Sequence, residues 1–173
     1  MTTGGHVVLV GLSGTGKSTV APALAGLLGR GWVDLDREVE RAAGASVADL
    51  FAGEGEASFR RRELDALHTA LAGPPVVVAA GGGIVTVAGA AEAMAGATVV
   101  WLRADPRVLA TRLENSSERR PLLEGDAAAA LARLAEAREP AYRAVADLEV
   151  EVGAMGADEV AGAVARALAE VPC

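Results

Sequence analysis

Two periodicities alternate along the chain. Short, valine-rich segments at His6 to Val10, Val76 to Ala80 (behind Pro74 and Pro75), Ala97 to Leu102 and Leu148 to Val152 predict strands. Val76 to Ala80 is a continuous apolar run, of the kind found in strands buried on both faces of a sheet. Trp32 to Asp36 adds a fifth strand that ends in carboxylates. Between the strands, apolar residues recur at helical spacing: Lys17 to Leu28, two or three stretches up to about Leu71 broken near Gly44 and Gly53 to Gly55, Ala88 to Ala95, and Asp105 to about Leu113. A long helix then reaches about Val145, and a last one ends near Glu170. The alanines after Asp126 read as helix, because leucine and arginine recur through Tyr142 at helical spacing. Strand and helix alternate throughout. The order predicts a three-layer α/β/α fold around a parallel five-stranded sheet, with right-handed crossovers and ligands at the carboxyl ends of the strands.

A length of 173 residues with 51% apolar content suits one domain, residues 1–173, with a full core. The net charge of −7 argues against a nucleic-acid surface, so the arginines act locally. The single cysteine, Cys173, allows no internal disulfide, which implies a reducing compartment. No basic-then-apolar leader opens the chain, and every apolar run is too short or too interrupted to span a bilayer. These features predict a cytoplasmic protein with no nucleic-acid or membrane partner, and a monomer is expected.

The first strand runs into Gly11-Leu12-Ser13-Gly14-Thr15-Gly16-Lys17-Ser18, and a helix follows. The pattern Gly-x-x-x-x-Gly-Lys-Ser wraps an anion in backbone N–H groups, at dihedrals that a Cβ forbids. Lys17 then reaches the β- and γ-phosphates of a nucleotide, and Ser18 ligates magnesium. Lys17 is also the only lysine beside fifteen arginines, so a compact ammonium is kept where a guanidinium cannot replace it.

Four other groups carry candidate chemistry. Asp34 and Asp36 stand two residues apart and share a face if their strand is regular; one can hold magnesium through water while the other faces an acceptor hydroxyl. Asp36 also suits a helix N-cap before Arg37 to Glu40. Gly81-Gly82-Gly83 closes the buried third strand, either as a flexible turn or as a place where a ligand approaches the backbone. Arg60, Arg61 and Arg62 point in different directions on one helix, so only one of them can enter a cleft, beside Phe51 and Phe59. Those phenylalanines either shape that pocket or pack in the core. Arg119 and Arg120 lie in a charged loop from Glu114 to Gly125, flanked by Arg112 and Arg138, and serve either as a solvated surface or as a lid closing on a γ-phosphate.

The ordered set formed by Gly11 to Ser18, Asp34-x-Asp36, Asp49-Leu-Phe51 with Phe59-Arg60, Gly81 to Gly83, Arg120-Pro-Leu-Leu123 and Arg138-Glu-Pro-Ala-Tyr142 resembles the shikimate kinase family, a branch of the P-loop small-molecule kinases. The resemblance covers about residues 7–145. It implies transfer of the ATP γ-phosphate to the 3-hydroxyl of shikimate in the aromatic amino acid pathway, with Mg2+ as cofactor and ATP as co-substrate. It implies nucleotide contacts from Gly14, Thr15, Gly16, Lys17, Ser18 and Thr19, with Arg112 near the adenine and Arg120 swinging in with a mobile lid at about 114–125. Ser18 and Asp34 would hold magnesium. Asp36 would orient or deprotonate the acceptor hydroxyl, which with Lys17 and Arg120 makes the catalytic set. Arg60 and Arg138 would grip the shikimate carboxylate, and Gly81, Gly82 and Gly83 would line the ring, within a substrate region at about 36–63. Ser13 replaces a proline common in the family, and Gly153-Ala-Met-Gly156 carries neither the arginine nor the proline often found near the adenine.

Rival P-loop functions differ in what they require. Guanine recognition of the Asn-Lys-x-Asp type is impossible here, since Lys17 and Asn115 are the sole lysine and asparagine. Gluconate kinases and nucleoside monophosphate kinases share the loop but not the combination of Asp-x-Asp, triple glycine and Arg-Pro-Leu-Leu. A non-catalytic nucleotide-binding module would not need Asp36, Arg60 and Arg138.

Overall fold

The computed structural model describes residues 5–116, 123 and 125–171. Strand β1 (Val7–Val10) leads through the phosphate loop into α1 (Lys17–Leu28), and β2 (Gly31–Asp34) runs directly into α2 (Leu35–Ala43). Two further helices, α3 (Val47–Glu54) and α4 (Glu56–Leu71), precede β3 (Val76–Ala79). A 3-10 turn (Ile84–Thr86), α5 (Ala90–Met94), β4 (Thr98–Arg103) and α6 (Pro106–Glu114) follow, then α7 (Ala127–Val145), β5 (Leu148–Glu151) and α8 (Ala157–Glu170).

All strand pairs are parallel, in the order β2-β3-β1-β4-β5. The expected α/β/α layering is present. Side chains alternate across the sheet, so Val8 and Val10 pack under Leu109, Leu131 and Tyr142 from α6 and α7, while Val7 and Leu9 pack against Leu24 of α1 and Val164 of α8. A third, smaller cluster of Val39, Leu50 and Phe59 joins α2, α3 and α4. Among the described residues no helix is long and apolar enough to cross a membrane.

The chain reverses direction across the sheet at β1, whose neighbours are β3 and β4. Ligand crevices form at such switch points, outside the carboxyl ends of the strands. The phosphate loop, Asp34 and Gly81 all stand at that edge.

The second strand ends earlier than its apolar pattern suggests. Asp34 terminates β2 and caps α2, its Oδ1 accepting hydrogen bonds from the N–H groups of Asp36 at 3.1 Å and Arg37 at 3.3 Å. Asp36 therefore belongs to the first turn of a helix. The two carboxylates do not share a strand face, and the cap is Asp34, not Asp36. A two-residue spacing cannot reveal where extended backbone turns helical, and here the capping bond decides it.

Candidate active site

The phosphate loop is built around an open helix end. Gly16 occupies the N-cap of α1 at φ +89°, a left-handed conformation closed to most side chains, and no side chain caps the helix. The helix end thus faces an anion site, in the field of the helix dipole, with Thr19 N closing back on Gly16 O at 3.0 Å. Thr15 is buried and turned inward, its Oγ1 donating to Leu12 O at 2.9 Å. Lys17 folds back over the loop and donates from Nζ to Gly11 O at 2.6 Å and to Leu12 O at 2.9 Å. Ser18 and Thr19 lie exposed in the same first turn of α1.

A cavity of about 420 Å3 opens from this loop. Its lining includes Ser13 and Ser18 of the loop and first helix, Asp34 and Asp36 at the junction of β2 and α2, Arg60 of α4, Arg138 of α7, and Gly81, Gly82 and Leu123. Four groups that sit far apart in sequence are therefore neighbours around one space. Of the residues expected at the site, Ser18, Asp34, Asp36, Arg60, Gly81, Gly82 and Arg138 line this cavity, whereas Lys17, Gly83 and Arg112 do not; Arg119 and Arg120 lie outside the described residues, as does most of the expected lid.

Asp36 is the most perturbed acid here. Burial is the main cause, and the neighbouring carboxylates of Glu63 and Asp34 add to it, while Lys17 and Arg60 oppose it; the balance pushes its carboxyl up to about 7. An acid poised there can take a proton from a hydroxyl at neutral pH.

Arg60 is held from several sides. Its guanidinium packs 5.3 Å from the ring of Phe59 and 5.8 Å from that of Phe51, which are themselves 4.9 Å apart. The phenylalanines thus serve both readings, Phe59 in the small core and both as the bed of the arginine. Arg60 Nη1 donates to Glu63 Oε2 at 2.7 Å, one helical turn along α4. Its nitrogens also crowd Gly83, where an added Cβ would lie 2.4 Å from Nη2. Arg61 and Arg62 point elsewhere; Arg62 pairs on the surface with Glu54 at 2.9 Å.

Glu63 is the functional residue that the linear reading missed. It is wholly buried, and its Oε1 has no hydrogen-bond partner among the described residues, like Nε of Arg60. The same oxygen stands 2.0 Å from where a Cβ on Gly81 would be, so the glycine is required by the carboxylate above it. The only available signal was the three-residue spacing from Arg60, which places both on one helix face.

Asp34 combines structure and chemistry. One oxygen caps α2, while the other has Arg37 Nε at 3.9 Å. With Ser18 it offers hard oxygen donors to the cavity, the set that suits magnesium; that ion keeps several waters and substrate phosphates as ligands, so a cage of protein carboxylates is not needed.

Arg112 does not line this cavity. It ties the phosphate loop to the segment after β5, donating to Gly14 O at 3.2 Å, Gly153 O at 2.5 Å and Met155 O at 3.2 Å. The Gly153 to Gly156 segment is thereby fixed through its main chain, next to the loop that receives phosphates.

Known proteins resemble this chain in sequence and in fold. The family model described as shikimate kinase matches residues 13–169. A shikimate kinase of Symbiobacterium thermophilum is 46% identical over 148 residues, covering 84% of this chain and 85% of the relative. Among solved structures, the shikimate kinase of Acinetobacter baumannii in complex with shikimate superposes with a TM-score of 0.91 at 34% identity, over 96% of this chain and 94% of that one. A gluconokinase of Sinorhizobium meliloti reaches a TM-score of 0.67 at 22% identity, over 98% of this chain and 94% of that one, a likeness of fold alone.

Proposed function

Because the chain belongs to the shikimate kinase family, we propose that the cavity between the phosphate loop and α4 is its acceptor site, with Asp36 as the base. The protein is an ATP-dependent phosphotransferase acting on a hydroxyl of shikimate. One observation supports the assignment of roles: Ser18, Asp36 and the two arginines Arg60 and Arg138 line a single cavity, and the charge of Lys17 acts on Asp36 within it.

The main chain from Gly14 to Thr19 and the Lys17 ammonium receive the β- and γ-phosphates, Lys17 turning its donors from the carbonyls of Gly11 and Leu12 to phosphate oxygens. Arg60 and Arg138 take the carboxylate of shikimate, whose two oxygens match a planar guanidinium. Gly82 and Gly83 let the ring lie against bare backbone. The hydroxyl then faces Asp36, which accepts its proton as the new O–P bond forms and the bond from the γ-phosphorus to the β-phosphate breaks. Arg120 contacts the transferring phosphate in this reading, and Arg112 stands at the base end of the nucleotide.

Ser18 and Asp34 would hold Mg2+, which when bound neutralises charge on the β- and γ-oxygens. Glu63 keeps the Arg60 guanidinium extended toward the acceptor. In this reading the enzyme works as a monomer. The acidic charge and the sole cysteine fit a reducing cytoplasm.

An ADP-release assay with shikimate, gluconate and a nucleoside monophosphate as separate acceptors tests this reading. Turnover should depend on shikimate. Equal turnover with either of the others would overturn the acceptor assignment.

A further inference from the structure

The three glycines after β3 each need their carbonyl oriented, because a run of glycine has no side chains to hold it. Two of the three are anchored locally: Gly81 O accepts from Ile84 N at 3.2 Å, and Gly83 O accepts from Thr86 N at 3.1 Å and Thr86 Oγ1 at 2.7 Å. Gly82 O is anchored from a distance. Its donor is the hydroxyl of Tyr142, which belongs to α7 and lies 60 residues away in the chain.

We propose that Tyr142 is a positioning residue of the acceptor site, clamping the Gly82 carbonyl so that the glycine backbone and the Arg138 guanidinium are held in one fixed relation for shikimate. The inference rests on the acceptor-site reading given above.

The geometry supports a clamp in three ways. Tyr142 and Arg138 are four residues apart on α7 and so share a face, and a Cβ on Gly82 would lie 3.2 Å from Arg138 Nη1. Fixing Tyr142 to Gly82 therefore fixes the gap between helix and turn. A trans peptide points its N–H opposite to its C=O, so the bond to Gly82 O also sets the direction of the Gly83 N–H. Neither Gly82 nor Gly83 donates a main-chain hydrogen bond among the described residues, which leaves both donors to a ligand.

The clamp itself is rigid. The Tyr142 ring stacks on Trp101 of β4, with centroids 5.4 Å apart at 24°, and Arg103 covers Trp101 at 4.6 Å. Burial pushes the Tyr142 phenol up to about 12, against the pull of the Arg138 guanidinium beside it, so the hydroxyl remains a donor at every working pH.

The test is Tyr142→Phe, which keeps the ring and its stacking and removes only the donor. Shikimate dissociation and Michaelis constants should rise roughly three- to tenfold, the range of one net hydrogen bond, while the ATP Michaelis constant stays put. Unchanged shikimate affinity with a lowered melting temperature would make the residue merely structural and overturn the proposal, as would equal weakening of both substrates. Wild-type enzyme is measured alongside, and its failure to bind shikimate would instead overturn the acceptor-site reading. Should Tyr142→Phe not fold, 3-fluorotyrosine can replace the only tyrosine in the chain and give a single fluorine resonance. Saturating shikimate should shift that resonance, and a resonance indifferent to shikimate overturns the proposal.

Discussion

Glu63 Oε2 lies 2.7 Å from Arg60 Nη1, and its other oxygen stands over Gly81 with no hydrogen-bond partner among the described residues. A wholly buried carboxylate beside a guanidinium that is itself 12% exposed sets two properties of the site at once. It holds Arg60 in place, and its charge raises the proton affinity of Asp36.

Glu63→Gln therefore has two separable effects. The neutral amide leaves Arg60 only the more exposed carboxylate of Glu56, 3.5 Å from its Nε, as a counter-charge, which should lower stability by about 1–3 kcal/mol and raise the shikimate Michaelis constant several-fold. It should also move the acid limb of the kcat/KM profile to lower pH, since one of the charges opposing ionisation of Asp36 is gone. A pH profile identical to wild type would remove Glu63 from the electrostatics of the base.

The profile of the unmodified enzyme follows from Asp36 itself. A base that must be ionised, with a carboxyl pushed up to about 7, gives a rate that rises about tenfold per pH unit below that value and levels above it. Asp36→Asn should reduce turnover by about 10²–10⁴-fold while nucleotide affinity stays close to normal. Stability moves the other way. The folded carboxyl keeps its proton up to about 7 while the free group loses it near 3.8, so between those values the folded state binds more protons and stability falls as pH rises. Removing the acid abolishes that fall, and Asp36→Asn should melt higher than wild type at pH 8 and alike near pH 4. Melting curves of the two proteins at both pH values check the sign.

Much of this site is legible in the chain because its parts sit at element boundaries. Lys17 follows an apolar strand and starts a helix, and the triple glycine ends a buried strand, so the alternation of apolar runs and turn residues is enough to put each at a carboxyl end. Asp36, Arg60 and Arg138 could be named as candidates, but only the family resemblance joined them to one substrate. Glu63 was not legible. A glutamate after three arginines on a helix is ordinarily a solvated partner, and it becomes buried only because α4 packs that face over Gly81. The division of labour between Asp34 and Asp36 was hidden for a related reason, since the cap that separates strand from helix is a hydrogen bond and not a pattern. The anchor of Gly82 was equally invisible, because Tyr142 meets it only after α7 has crossed the sheet.

Glycine substitutions distinguish sites of close approach from ordinary helix. At Gly83 an added Cβ would stand 2.4 Å from Arg60 Nη2 and 2.5 Å from its Cζ. Gly83→Ala must displace the guanidinium, so the shikimate Michaelis constant should rise at least about tenfold, with a smaller effect on melting because Arg60 can swing toward the cavity. Gly26, exposed in the last turn of α1, meets nothing within 4 Å. Gly26→Ala should stabilise the fold by about 0.5–1 kcal/mol and leave kinetics alone. Parallel melting and initial-rate measurements on the two variants separate the outcomes; a Gly83→Ala enzyme with normal shikimate kinetics would show that Arg60 is not held against that turn during the reaction.

Lys17 is the only side-chain amine in the protein, so an amine-selective reagent can modify only this residue and the N-terminus. Its Nζ is already 2.6 Å and 2.9 Å from two carbonyls of the loop, which should make acylation slow even in the free enzyme. Bound MgATP should slow it further, because the ammonium then turns its donors to phosphate oxygens and the nucleotide shields it. Shikimate alone should not. Lys17→Arg should lose about 10²–10³-fold in turnover, since the flat guanidinium cannot place a compact charge inside a loop shaped around an ammonium. Peptide mapping of the acylated protein gives the protection directly, and labelling of Lys17 at the same rate with and without MgATP would contradict its contact with the phosphates.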